Sequence, residues 1–324
     1  MSNNIKLPYS TDSSFFESDP AVSKSTMVAL IPATIMSMIF FGHNSLIIIL
    51  SAVISCLLID FITQRFFLKK KRPFWNNNTA LTGILLSFCL PPGIPFWLVL
   101  PGSLVAVGIG TISFGRLNDY RFHPALAGSL FLLLLFPGQM SAWTATITSV
   151  DTFTGATPLG LLNKGIQNGQ TVAQIFSDTR MPGYFDMFWG DVSGSIGEIS
   201  AIAILVGGLY LFMKKIISWQ IPVAVLGTIF ILEGILWVAA PGRFADPVFH
   251  LVTGGAMLGA LFMATYPVTV PATATGKLIF GAGIGLITIL IRNFGPYPEG
   301  IAVAVLIMNG LTPLINSINL AKTR

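Results

Sequence analysis

Apolar positions in this chain come in unbroken runs. Leu46–Leu58 and Leu126–Phe136 read through without the two-residue alternation of a half-buried strand. A helix needs about 20 apolar residues to cross a bilayer, and stretches of that kind recur from Thr26 to Ile318. They predict ten spans, at 26–42, 44–64, 79–91, 96–113, 124–137, 195–213, 220–240, 247–265, 277–292 and 299–317. A transmembrane barrel requires short alternating segments, so this pattern rejects it. The expected fold is an all-α polytopic membrane protein.

One long connection, 138–194, separates five spans from five. It carries Asp151, Asp178, Asp186 and Asp191 among Gly, Ser and Thr. Its aromatics, Trp143, Phe153, Phe185, Phe188 and Trp189, predict an ordered segment packed at the membrane interface. The organisation is then an N-terminal segment 1–25, a first five-helix repeat 26–137, the loop 138–194, a second five-helix repeat 195–318 and a tail 319–324. Five is odd, so the second repeat runs through the membrane in the opposite sense to the first. Thr82-Gly83 leading to Pro91-Pro92, and Thr253-Gly254-Gly255 leading to Pro267, sit at matching places in the two halves. Such Gly- and Pro-interrupted segments point to broken helices. Close helix packing on small residues explains them equally well, and is the preferred reading of Gly281, Gly283 and Gly285 in the ninth span.

Composition and charge sharpen this picture. Hydrophobic residues make up 53% of the 324 positions and charged residues 10%, against about 25% charged in an average soluble domain. A water-soluble fold is excluded. The net charge of +5 reports orientation rather than nucleic-acid binding. With the N-terminus inside, every one of the 18 basic residues except Lys164, Arg180, Arg243 and Arg292 falls on the inner side, as the positive-inside rule requires. Both termini are expected to be cytoplasmic, and the first 25 residues lack the basic start and apolar centre of a cleaved signal peptide. A cysteine placed at Lys164 should therefore react with an impermeant reagent in intact cells, and one at Lys322 should not. Equal labelling of both would overturn this topology.

Candidate chemistry is sparse. Cys56 and Cys89 share no ligand-like spacing with His43, His123 or His250, so no metal or iron–sulfur site is expected from this chain alone. His43 and His250 read as capping or packing residues in preference to haem ligands. Pro271–Leu278 contains Gly276-Lys277 but lacks the first glycine and final hydroxyl of a phosphate loop. Glu233 lies deep in the seventh span, where a carboxyl is a functional candidate. It is an ion-pathway candidate, and a structural hydrogen bond to a broken neighbouring helix is the slightly preferred reading.

The strongest local signal is Asp151-Thr152-Phe153-Thr154-Gly155-Ala156-Thr157-Pro158-Leu159. Asp-x-x-Ser/Thr-Gly-Ala-Thr arises by chance in about one chain in a thousand of this length. Gly155 and Ala156 leave the backbone bare for a second protein to reach a hydroxyl, and Asp151 is placed to orient the acceptor or a metal. The motif resembles the flavinylation site of the membrane subunits of the Rnf and sodium-pumping NADH:quinone oxidoreductase family. That resemblance implies FMN joined through its phosphate to Thr157, with Asp151, Thr154, Gly155 and Ala156 as the surrounding cofactor-site residues.

Further segments look like the D subunit of Rnf: Ala80–Gly83 to Leu90–Pro92, Gly197–Ala201, Asp246–Leu251, Thr253–Ala260, and Tyr297–Gly300 through Asn309. The resemblance implies an electron-transfer subunit of a redox-driven, Na⁺- or H⁺-translocating ferredoxin:NAD⁺ oxidoreductase in a prokaryotic cytoplasmic membrane, inactive alone. Its implied partners are other membrane subunits, a second flavinylated subunit on the outer face, a flavin transferase and the lipid bilayer, with no nucleic acid. A second, noncovalent flavin, riboflavin, is also implied. Segment 114–125 departs from the family's glycine-rich pattern, which puts that site in question; Arg116, Arg121 and His123 would instead face a partner subunit or anchor the inner interface. The rival reading is a channel or solute transporter of inverted-repeat type, in which a flavin acceptor has no purpose.

Overall fold

The computed structural model describes residues 20–67, 69, 74–108, 122–147, 155–295 and 297–321. Among these residues every regular element is helical. The first half holds α1 (Pro20–Ala29), α2 (Ile31–Phe41), α3 (His43–Ile62), α4 (Asn77–Phe88), α5 (Phe96–Leu104) and α6 (Pro124–Leu135). The long connection carries α7 (Pro137–Met140), α8 (Pro158–Gln167), α9 (Val172–Phe176) and α10 (Tyr184–Trp189). The second half holds α11 (Ala201–Met213), α12 (Gln220–Ala239), α13 (Pro247–Val252), α14 (Ala256–Leu258), α15 (Ala274–Phe294) and α16 (Ile301–Ala321).

A helical segment thus lies within each of the ten apolar stretches, but most are shorter than the expected 20 residues. Among the described residues, Ala21–Phe41, His43–Phe66, Gln220–Ala239 and Ala274–Phe294 are the helices long and apolar enough to cross a bilayer unaided. Phe96–Gly108, Pro124–Leu135 and Ala201–Met213 are apolar but shorter, and α13 and α14 are separated by a turn packed within the protein, where irregular backbone is tolerated at membrane depth. Outward faces are apolar as well as inward ones. On α3, Ile47, Leu50, Ile54 and Leu58 are exposed at helical spacing while Ile48, Ala52, Cys56 and Ile59 are buried. A helix apolar on both faces is stable only with lipid around it, and the protein is a multi-pass membrane protein.

The two halves repeat one adjacency. In the first, α3 packs on α4 and α5; in the second, α12 packs on α13 and α15. They join through α11 against α1 and α2, and through α16 against α6. Gly281 and Gly285 let α15 approach α12 closely: a Cβ at Gly281 would lie 2.8 Å from the Ile221 carbonyl oxygen, and one at Gly285 2.9 Å from that of Val225. The packing reading of this cluster is correct. Gly83 does the same against the Val53 backbone, at 2.7 Å, so α4 runs straight through Thr82-Gly83 and ends only at Phe88.

Both halves contain a break, and each satisfies its stranded carbonyls differently. After α4, the oxygens of Phe88 and Leu90 accept from the Gly197 and Ile196 N–H groups, both at 3.0 Å. A Cβ at Gly197 would lie 2.3 Å from the Phe88 Cβ, so this strap of backbone requires glycine. After α13, Gly254 and Gly255 turn the chain with φ of +59° and +65°, a conformation that any other residue adopts only with strain. There the carbonyls go to a side chain, Arg292.

The connection is ordered where it is described. Leu159, Leu162, Ile175 and Met187 bury a small core against Phe249 of α13. Phe185 and Trp189 stack at 6.2 Å on the outer side of α10, and both are exposed.

Candidate functional site

The sequence at residues 155–160 builds a helix start. Thr157 has extended backbone, and its side-chain oxygen accepts from the Gly160 N–H at 3.1 Å, capping α8; Pro158 follows at the first helical position, where its missing N–H costs nothing. Gly155 is tight against Ser193: a Cβ there would fall 1.9 Å from the Ser193 Oγ. Close packing against Ser193 is thus a second reason for a small residue here, beside a backbone left bare for a partner. Ala156 faces out and Thr157 faces in, with only 6% of the residue exposed. Asp151 and Thr154 lie outside the described residues.

Thr157 lines a cavity of about 420 Å³. Its walls come from both halves: Phe88 and Cys89 at the end of α4, Leu126, Ser129 and Leu133 of α6, the turn with Ser195 and Glu198 before α11, Gly254–Gly259 at the second break, and Tyr297–Ile301 leading into α16. Trp143 and Gly155–Thr157 of the connection complete it. The volume lies within the roughly 300–1,000 Å³ of small-molecule sites, and a mostly apolar wall with a few convergent polar groups is their usual form. A planar, apolar ring system tethered through a phosphate at Thr157 fits this donor set. The phosphate would sit at the first turn of α8, where the helix dipole favours an anion.

A second polar cluster lies beside the cavity; the sequence points to Glu233 and His250 one by one but not to their meeting with Arg292 and Asn293. Glu233, on α12, is fully buried; its Oε1 accepts from Asn293 Nδ2 at 2.8 Å and lies 3.5 Å from His250 Nδ1. Arg292 of α15 is 2% exposed. Its Nη1 donates to the His250 carbonyl at 2.6 Å, and its Nη2 to those of Thr253 and Gly254 at 3.0 and 2.9 Å. Arg292 is therefore an internal clamp on the second break, not a basic residue of an outer loop. His250 is buried and His43 is exposed; packing describes the former. No group of three or more His, Cys, Asp or Glu that could hold a metal occurs among the described residues.

His123 is also displaced from its expected place. It is buried, its Nδ1 accepts from the Leu126 N–H at 3.4 Å to cap α6, and its ring packs on Tyr266. It neither faces a partner nor anchors an interface, because the start of α6 is covered by α16, whose Asn309 Oδ1 accepts from the His123 N–H. Arg116 and Arg121 lie outside the described residues, as does most of the segment implicated for riboflavin.

The acidic residues of the connection are mostly structural. Asp186 accepts from the Gly183 N–H to cap α10, and Asp191 accepts from the Thr146 hydroxyl at 2.6 Å. Side-chain and backbone hydrogen bonds from Arg180 hold the Asp178 carboxyl down to about 2. Tyr184 donates to Asp246, and partial burial followed by that carboxylate keeps the phenol protonated beyond its usual range.

Residues 13–323 match the model of the NQR2, RnfD, RnfE family. The chain is 41% identical over 305 residues to the D subunit of the proton-translocating ferredoxin:NAD(+) oxidoreductase complex of Clostridium ljungdahlii, covering 92% of this chain and 90% of that one. It is 41% identical over 300 residues to the D subunit of the Na(+)-translocating ferredoxin:NAD(+) oxidoreductase complex of Acetobacterium woodii, covering 92% and 88%. It is 34% identical over 324 residues to the D subunit of the ion-translocating oxidoreductase complex of Pectobacterium carotovorum, covering 90% of each. Relatives at equal identity are named for different ions, so similarity selects neither.

Proposed function

Because the chain belongs to the NQR2, RnfD, RnfE family, we propose that it is the membrane electron-transfer subunit of an ion-translocating ferredoxin:NAD⁺ oxidoreductase and carries FMN as a phosphoester on Thr157. One observation carries this reading: the motif's last threonine is the residue whose hydroxyl lines the cavity and caps a helix start. The flavin supplies reversible electron acceptance and donation, chemistry that no side chain here provides. The chain's own groups do the rest. The start of α8 binds the phosphate, the apolar wall from Phe88 to Val305 excludes water, and the family's other subunits supply electrons and handle NAD⁺ and ferredoxin. Riboflavin is retained as a second, noncovalent flavin, and a second flavinylated subunit and a flavin transferase as partners. The membrane is the prokaryotic inner one, with both termini cytoplasmic. Colour tests the reading directly. The purified chain, made alongside the transferase, should be yellow and keep flavin fluorescence on a denaturing gel, whereas a colourless protein would favour a channel or transporter.

Glu233 is proposed as an ion-pathway residue, since its Oε2 has no hydrogen-bond partner despite full burial. Glu233→Gln keeps the acceptor for Asn293 and removes the ionisable group. Flavin content should be unchanged, while ion transport into vesicles per electron transferred should fall. Normal transport with unaltered ion dependence would return Glu233 to a purely structural role.

A further inference from the structure

Two carboxyls of the cavity wall take no part in holding a flavin at Thr157. Glu198, in the turn before α11, and Glu299, in the turn before α16, both line this cavity, and their carboxyls lie close enough to act on one another. Two carboxyls in such proximity are held together most readily by a proton on one of them, since an ionised carboxylate only accepts. The contact is built. Glu198 Oε1 is fixed by the Ser195 N–H at 3.0 Å. Its Oε2 fills the space a side chain at Gly255 would take, since a Cβ there would lie 2.6 Å away. Glu299 Oε1 is buried with no hydrogen-bond partner.

The charge around the pair is unbalanced. Arg292 is the cation that acts on both carboxyls, and its guanidinium also serves Glu233 and three backbone carbonyls. The other titratable side chains lining the cavity are Cys89 at the end of α4 and Tyr297 before α16. Two adjacent carboxylates in surroundings of low dielectric do not both ionise. We propose that Glu198 and Glu299 form a single proton-binding site, holding one shared proton at neutral pH and exchanging it in response to charge in the adjoining cavity. The first half of this proposal stands on the two carboxyls alone; the second rests on the flavin reading at Thr157.

Infrared spectroscopy of the full-length protein separates the two. The chain has four glutamates, Glu17, Glu198, Glu233 and Glu299, so ¹³C-glutamate labelling identifies a protonated glutamic acid by the shift of its C=O stretch. In a Glu233→Gln background that band should be present at neutral pH, with or without Thr157→Val. It should be lost in both Glu198→Gln and Glu299→Gln, because a shared proton needs both carboxyls and the one remaining faces Arg292 alone. Absence of the band in the parent, or its survival in both variants, would overturn the proposal. Where a variant fails to fold, titration of the parent decides: one proton released from the pair up to neutral pH supports a shared site, and two released refute it. In flavinylated protein, the pH dependence of the bound flavin's midpoint potential should flatten in Glu299→Gln. Loss of gel fluorescence would sink the Thr157 assignment and leave the infrared result intact. An unchanged pH dependence with full flavin content would refute the coupling.

Discussion

Thr157→Val should abolish covalent flavin completely, while Thr152→Val and Thr154→Val retain it. The ester needs a hydroxyl, and valine keeps the shape of threonine without one. The substitution also removes the cap of α8, which costs about 1 kcal/mol. Against a typical stability of about 5–15 kcal/mol that loss leaves a folded chain, so the missing flavin will not be a folding artefact. Thr157→Ser separates the two roles: it preserves both cap and hydroxyl and should be modified in part. The measurement is in-gel fluorescence of equal amounts of protein co-produced with the transferase. Fluorescence persisting in Thr157→Val would show that the acceptor lies elsewhere.

Arg292→Gln should be the most damaging single change among the described residues. Hydrogen bonds inside membrane proteins average about 0.6 kcal/mol in double-mutant cycles, so the three made by Arg292 amount to about 2 kcal/mol. The stranded groups raise the cost: removing one member of a buried charged network leaves its partners uncompensated, at about 3–5 kcal/mol. Glu233 and Glu198 both face Arg292, and the carbonyls at the second break have no other donor of this reach. Thermal aggregation of the detergent-solubilised protein should begin at markedly lower temperature. Arg292→Lys should rescue only in part, since an ammonium cannot span three carbonyls as a planar fork does. Wild-type thermal behaviour in Arg292→Gln would remove Arg292 as the clamp.

The helices and the helix start at Thr157 were legible along the chain because both are written locally. An apolar run of 10–20 residues is its own signal, and so is Asp-x-x-Thr-Gly-Ala-Thr. Gly254-Gly255 announced a break, since consecutive glycines in an apolar segment have few other uses. What filled the break was not legible. Arg292 lies 42 positions from His250 and reads from sequence as one more basic residue near a span end. The Glu198–Glu299 contact joins turns from opposite sides of the second half, and no periodicity links them. His123 misled for the same reason: its neighbours Arg116 and Arg121 suggest a surface, while Tyr266 and Asn309, which enclose it, come from more than a hundred residues downstream. Span length failed in its own way, because hydropathy measures how apolar a stretch is and is blind to where the helix within it stops.

The inward direction of the Thr157 side chain bears on the order of events in the life of this protein. If Thr157 carries flavin as proposed, its side chain is turned toward the cavity between the two halves, so a transferase would meet the hydroxyl more readily before the connection packs onto α13 than after. Maturation and folding would then share one schedule, the cofactor being laid in while the chain around it is still assembling.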